Sequence, residues 1–210
     1  MHRQAVLFPE VVFRYRQTDE KVIALTFDDG PDPITPQLLD ILAGEDVPAT
    51  FYVLGSNVSQ FPEIARRIAL DGHEISNHSW SHIDFRELTD EEILKNELVP
   101  TSEITAEITG IYPKTMRPPY GALRDETIPF LEREGWKIVG WSVDTSDWDS
   151  TQNSPEEIIS RALNDRHPGA IVLMHSGYTM QNTVLALPEI IRALKDEGYR
   201  FLRVSELLEF

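Results

Sequence analysis

Two short runs constrain this chain more than anything else in it. Val22–Phe27 (VIALTF) and Ala170–Met174 (AIVLM) are almost wholly apolar. A strand with one face in water alternates polar and apolar residues, whereas a strand covered on both faces does not. Such coverage belongs to parallel sheets flanked by helices. Five further β-rich runs are Thr50–Leu54, Glu74–Ser76, Thr115–Arg117, Lys137–Trp141 and Arg200–Arg203. Between the runs lie helical patterns near Thr35–Ala43, Val58–Asp71, Asp90–Thr109, Arg124–Gly135, Pro155–Asp165 and Leu185–Glu197, with a last short helix through Ser205–Leu208. Seven strands alternating with helices predict an α/β fold, and the pattern alone allows a barrel or an open sheet.

Local signals support these boundaries. Thr89 with Glu92 fits a capping box, and Ser154-Pro155 reads as an N-cap followed by the first helical residue. Gly72, Gly110, Gly135 and Gly198 stand where helices should stop. Pro100 conflicts with its own helix and should kink or split it, because it has no N–H to donate.

A length of 210 residues suits one domain with a sizeable core. With no cysteine, the chain has no disulfide or thiolate chemistry, so a metal would be held by His, Asp, Glu or backbone oxygen. A net charge of −16 should repel nucleic acid and anionic membranes, so neither is expected as a partner. No apolar run approaches the roughly 20 residues of a membrane-spanning helix.

The chemically loaded residues gather just after the predicted strands, where parallel α/β folds place their sites. His78-Ser-Trp-Ser-His82 would present two imidazoles to one side if it formed a helical turn. Alone, such a pair is more often surface or core histidine than metal ligand. Asp29, from a neighbouring strand end, can complete a His-His-Asp trio that leaves positions open for water and substrate. Zinc suits these donors best, with cobalt, nickel or iron also compatible. Asp28 beside it can act as a base, although Asp28-Asp29-Gly30-Pro31-Asp32 is also good turn chemistry. Arg117 can pair with Asp28, and the stiff Arg117-Pro118-Pro119-Tyr120 segment can aim the Tyr120 N–H at a developing oxyanion, or be no more than a structural turn. His175 can protonate a leaving amine with Asp144 holding its ring. Trp148 offers an aromatic wall, and the Trp80–Phe85 stretch can line a groove; core packing is the plainer role for each.

Taken together, TFDDG at 26–30, HSWSH at 78–82, RPPYG at 117–121, DTSDW at 144–148 and LMH at 173–175 resemble the five motifs of the polysaccharide deacetylases, the NodB-homology domain or carbohydrate esterase family 4. The resemblance runs from about residue 21 to 210, leaving residues 1–20 as an extension of unknown role. It implies a distorted (β/α) barrel with about seven parallel strands and the site at their C-terminal ends. It implies one divalent metal, usually zinc, on Asp29, His78 and His82. Asp28 would be the general base, tethered by Arg117, and His175 the general acid, tethered by Asp144. Trp148 and Leu173 would line the acetyl pocket, with Pro118 and Tyr120 also against substrate. The implied activity is hydrolysis of N-acetyl groups on N-acetylglucosamine residues of chitin oligosaccharides or peptidoglycan, releasing acetate, outside the cell or at its wall. An O-deacetylase acting on acetylxylan and an inactive carbohydrate-binding relative are the alternatives.

Overall fold

A computed structural model describes residues 1–177 and 179–210. Its strands are β1 (Val12–Phe13), β2 (Val22–Asp28), β3 (Thr50–Val53), β4 (Glu74–Asn77), β5 (Thr115–Met116), β6 (Lys137–Val139), β7 (Val143–Asp144), β8 (Ala170–His175) and β9 (Arg200–Phe201). They form one nine-stranded sheet in the order β1-β6-β5-β4-β3-β2-β8-β7, with β9 also on β2, and every ladder is parallel. The sheet curls into a half-barrel, a distorted (β/α) barrel flanked by helices.

The count of seven strands omitted β1 and β7. Each is only two residues long. The first twenty residues, set apart in the sequence, reach the sheet as β1, which pairs with β6, while Val11 and Val12 join a core with Trp136 and Ile138.

Strand β2 is the hub. One edge runs along β8 from Ile23 to Asp28. Its other partners divide it, with β9 pairing Val22 and Ile23, and β3 pairing Thr26 to Asp28. Side chains alternate along a strand, so the two faces sort by parity. Ile23, Leu25 and Phe27 enter the helix-side core with residues such as Leu38, Phe51 and Leu187. Val22 and Ala24 turn into the barrel with Tyr52, Val139 and Ile171. The inward row of β2 continues through Thr26 to Asp28, and that of β8 runs from Ile171 through Leu173 to His175. Apolar packing thus gives way to polar chemistry at one rim. Burial of each large core side chain contributes about 1.5–3 kcal/mol, which fixes the parity and therefore the rim.

Two helices depart from their sequence outlines. The pattern Val58–Asp71 is broken at Phe61-Pro62 into Gly55–Gln60 and Pro62–Leu70, because proline starts a helix more readily than it continues one. The Asp90–Thr109 helix does run across Pro100, but through a π-helical turn at Ile93–Leu98, between Asp90–Glu92 and Val99–Thr109. The Val99 N–H reaches back five residues to the Leu94 carbonyl, so the ladder widens just before the proline. The capping boxes at Thr89/Glu92 and Ser154/Glu157 both form.

Candidate active site

At the C-terminal rim lies a cavity of about 420 Å³, lined by Asp28, Asp29, His78, His82, Pro118, Tyr120, Gly121, Trp141, Asp144, Trp148, Leu173 and His175. Ten of the eleven candidate residues meet there; Arg117 lies beneath the floor and reaches the cavity through Asp28.

Asp29 is the first residue past β2, and its left-handed backbone (φ 75°) turns its carboxylate across the rim. Asn57 Nδ2 fixes that turn by donating to the Asp29 carbonyl at 2.7 Å. Asp29 Oδ1 then stands 3.4 Å from His78 Nε2 and 3.3 Å from His82 Nε2. This oxygen is buried and has no hydrogen-bond partner. The His78 Nδ1–H donates to the Arg117 carbonyl at 2.8 Å, which leaves the neutral ring's Nε2 as a lone pair facing Asp29. Acceptors turned toward one another across a gap need a cation between them. The one-oxygen, two-imidazole set fits a divalent ion of the zinc type. Burial disfavours a charged His78, yet Asp28, Asp29 and the Arg117 carbonyl outweigh it and raise its pKa. Burial works against an ionised Asp29, but the close imidazoles of His78, His175 and His82 outweigh it and hold the carboxyl far below its usual range. On His82 burial wins, with His78 adding to it, and the pKa falls.

The two histidines do not converge on a helical turn, as their spacing suggested. Residues 78–82 form an irregular loop in which Ser79 (φ 78°) and His82 (φ 61°) are left-handed. Each such residue costs on the order of 1–3 kcal/mol unless its surroundings compensate. Asn77 Oδ1 accepts the Ser79 N–H at 2.8 Å, and Ser79 Oγ accepts the His82 N–H at 3.0 Å. Tyr120, also left-handed (φ 58°) and 66% exposed, sets its ring edge against His82 and its hydroxyl 3.2 Å from His82 Nδ1.

Arg117 is fully buried, which an arginine tolerates only when its charge is paired and each of its nitrogens is hydrogen-bonded. Nη1 donates to Asp28 Oδ1 at 2.7 Å and to Thr26 Oγ1 at 2.9 Å; Nε and Nη2 reach the Val139 and Gly140 carbonyls. The guanidinium stacks 4.1 Å from the Tyr52 ring centroid. Asp28 is thereby fixed in place, with Oδ2 3.8 Å from His78 Nε2.

His175 pairs with Asp28 in the β2–β8 register, so the two sit level on adjacent strands. Its tether is not Asp144. Asp147 Oδ1 accepts His175 Nδ1–H at 2.7 Å, and its Oδ2 accepts the His175 backbone N–H at 2.8 Å and the Thr183 hydroxyl at 2.7 Å. Asp144 instead accepts the Ser146 N–H and faces the cavity. The register explains the correction. Asp144 lies opposite Leu173, two residues short of His175, and the chain must turn through left-handed Ser146 before a carboxylate draws level. Burial works against a charged His175, but Asp147, with Asp28 and Asp29 behind it, raises its pKa to about 9.

Leu173, Trp148 and Trp141 make the apolar side of the cavity. Trp141 was not anticipated. It lies past β6 in a stretch read as strand, and nothing in its neighbours distinguishes a cavity wall from core. Phe85 is fully buried in the second core, and Trp80 packs over Gly55, so neither end of the Trp80–Phe85 stretch builds this cavity.

Known proteins resemble this chain in sequence and in fold. A peptidoglycan-N-acetylglucosamine deacetylase of Bacillus cereus is 40% identical over 190 residues, covering 89% of this chain and 68% of that protein. A chitooligosaccharide deacetylase of Bradyrhizobium is 35% identical over 198 residues, covering 88% and 90%. PgdA of Listeria monocytogenes, a peptidoglycan-N-acetylglucosamine deacetylase, is 38% identical over 204 residues, but the chain spans only 41% of its length. Among solved structures, the Bc1960 peptidoglycan N-acetylglucosamine deacetylase superposes with a TM-score of 0.89 at 37% identity, covering 95% of this chain and 94% of that one. The polysaccharide deacetylase family model matches residues 15–139, and with that match and a relative 35% identical and covered over 90% of its length the chain belongs to the polysaccharide deacetylase family.

Proposed function

We propose that the chain removes N-acetyl groups from N-acetylglucosamine residues of a glycan, chitin oligosaccharide or peptidoglycan, and releases acetate. One observation carries the reading. The partnerless Asp29 Oδ1, facing two imidazole nitrogens, lies in the same cavity as an arginine-held carboxylate and a carboxylate-held histidine. Residues 21–210 supply this machinery, and residues 1–20 close the β6 edge of its sheet. No described helix is long and apolar enough to cross a membrane. Action outside the cell or at its wall follows from the polymeric substrates named for the relatives.

Asp29, His78 and His82 would hold one divalent cation, zinc by donor type. When bound, it supplies Lewis acidity that polarises an acetyl carbonyl and lowers the pKa of water. Asp28, oriented by Arg117, accepts the proton of the attacking water. The left-handed turn at Tyr120 offers its backbone N–H to the developing oxyanion. His175 gives its proton to the departing amine while Asp147 holds Nδ1 and stabilises the charged ring. Leu173, Trp148 and Trp141 receive the acetyl methyl and exclude water around it, with Pro118 bordering the sugar.

Acetate release from chitin oligomers, peptidoglycan and acetylxylan, measured side by side with added zinc, tests the assignment. Release from either N-acetylated glycan, well above that from acetylxylan, is expected. Preference for acetylxylan makes the chain an O-deacetylase, and release from none of the three refutes the catalytic reading.

A further inference from the structure

The loop between His78 and His82 is gripped by a carboxylate that the chemistry above does not use. Glu97 is 7% exposed and comes from the π-helical turn Ile93–Leu98. Its Oε2 accepts the backbone N–H groups of Trp80 at 2.8 Å and Ser81 at 2.9 Å, and its Oε1 accepts the Ser81 hydroxyl at 2.8 Å. The loop's carbonyls are met from the other side. Gly55 N–H donates to Ser79 O at 3.0 Å, and Ser56 N–H to Trp80 O at 3.2 Å. A neighbour of Glu97 in the same turn adds a second hold. The Leu98 carbonyl accepts Asn77 Nδ2 at 2.8 Å, and Asn77 Oδ1 in turn holds the Ser79 N–H. The entry and the middle of the loop are therefore both tied to one widened helical turn.

We propose that Glu97 is a positioning residue for the cation, fixing the backbone between His78 and His82 so that their Nε2 atoms stay at ligand separation. The inference rests on the reading of Asp29, His78 and His82 as a cation site. A carboxylate suits the task because one ionised group accepts three donors at once, each bond being stronger than a neutral one. The π-helical turn, set just ahead of Pro100, changes the rotation between successive side chains and so sets where Glu97 points. Partners that orient metal ligands typically contribute 10–100-fold to metal affinity.

Zinc affinity of the full chain, by competition with a chromophoric chelator, tests this in wild type, Glu97→Gln and Ser81→Ala. Amide exchange at Trp80 and Ser81 in the metal-free protein provides a second readout. Glu97→Gln should weaken zinc binding about 10–100-fold and speed exchange at both amides. Ser81→Ala removes one of the three bonds from an exposed residue, cannot unfold the domain, and should weaken binding to a lesser degree. At saturating zinc both variants should recover turnover with KM for the glycan unchanged. Wild-type zinc affinity in both variants overturns the proposal. So does weakened binding in Glu97→Gln that merely follows a collapsed metal-free melting curve while Ser81→Ala binds as wild type. Failure of the wild-type chain to bind zinc would instead remove the cation site on which the proposal stands.

Discussion

Asp28 and Asp29 are neighbours in sequence and opposites in surroundings. Asp28, on the inward row of β2, receives a buried guanidinium; Asp29, one residue past the strand, is turned by its left-handed backbone toward two imidazoles. If the first is the base and the second a ligand, Asp28→Asn should still bind one equivalent of zinc while kcat falls on the order of 10²–10⁴. Near-wild-type turnover in that variant would remove Asp28 from the role. The acid side makes its own prediction. His175 must be protonated to give a proton, and its pKa, pulled down by burial but raised further by Asp147, stands at about 9. Activity should therefore hold through neutral pH and decline as pH rises toward that value, somewhat earlier with a cation beside Asp29. Asp147→Asn removes the raising charge, so the alkaline limb of kcat should move to lower pH; Asp144→Asn should leave the limb in place. A limb that moves with Asp144 and not with Asp147 contradicts the hydrogen bonding seen here. Strand-end clustering and motif spacing anticipated that Asp28, Asp29, His78, His82, Arg117 and His175 come together, because β parity and strand length are written in residue types. The partner of His175 was not legible. Two carboxylates three positions apart differ only in strand register and in the turn at Ser146, and neither leaves a mark on composition.

Short elements carry most of the positional information around the site. Helix Gly55–Gln60 begins against the loop at 78–82, where a Cβ on Gly55 would fall 2.4 Å from Trp80 Cε3 and 2.5 Å from Thr101 Oγ1. Gly55→Ala must push that loop or the Val99–Thr109 helix aside. It should lower stability by about 1–3 kcal/mol, readable by urea unfolding, and weaken zinc binding with it. An unaltered unfolding midpoint would mean that the contact yields freely. His73, just ahead of β4, shows a different constraint. Its Nδ1 accepts the Ala49 N–H at 3.2 Å, so the ring is neutral, and burial lowers its pKa to about 4. A depressed histidine pKa stabilises the fold above the unfolded value near 6.5, and that contribution is lost as pH falls through about 4. The ceiling is about 3 kcal/mol at 1.36 kcal/mol per pKa unit. Unfolding free energies of His73→Gln should accordingly fall less than wild type's between pH 6.5 and 4; parallel losses would assign the acid sensitivity elsewhere. Element boundaries show the same limit of legibility. Capping boxes and proline starts were readable because they are local, whereas β1, β7 and the π-helical turn exist only through the partners they meet.

At the scale of the whole molecule, the parallel sheet makes the site by bringing six strand ends to one rim. Apolar side chains such as Val22, Ala24 and Ile171 pack within the barrel below, and the candidate chemistry gathers where the strands stop. The general architecture was visible in two apolar runs, since only a sheet covered on both faces tolerates them. The half-barrel closure was not legible in those runs and came only with the family resemblance, because it depends on β2 sharing one edge between β9 and β3 and on Arg117 spanning the interior to β6 and β2. The account stands or falls on a cation shared by Asp29, His78 and His82. The most direct test is acetate release from an N-acetylated glycan by the chain stripped with a chelator and then titrated with zinc. Release should vanish on stripping and return in full at one zinc per chain; undiminished release from the stripped protein would contradict it.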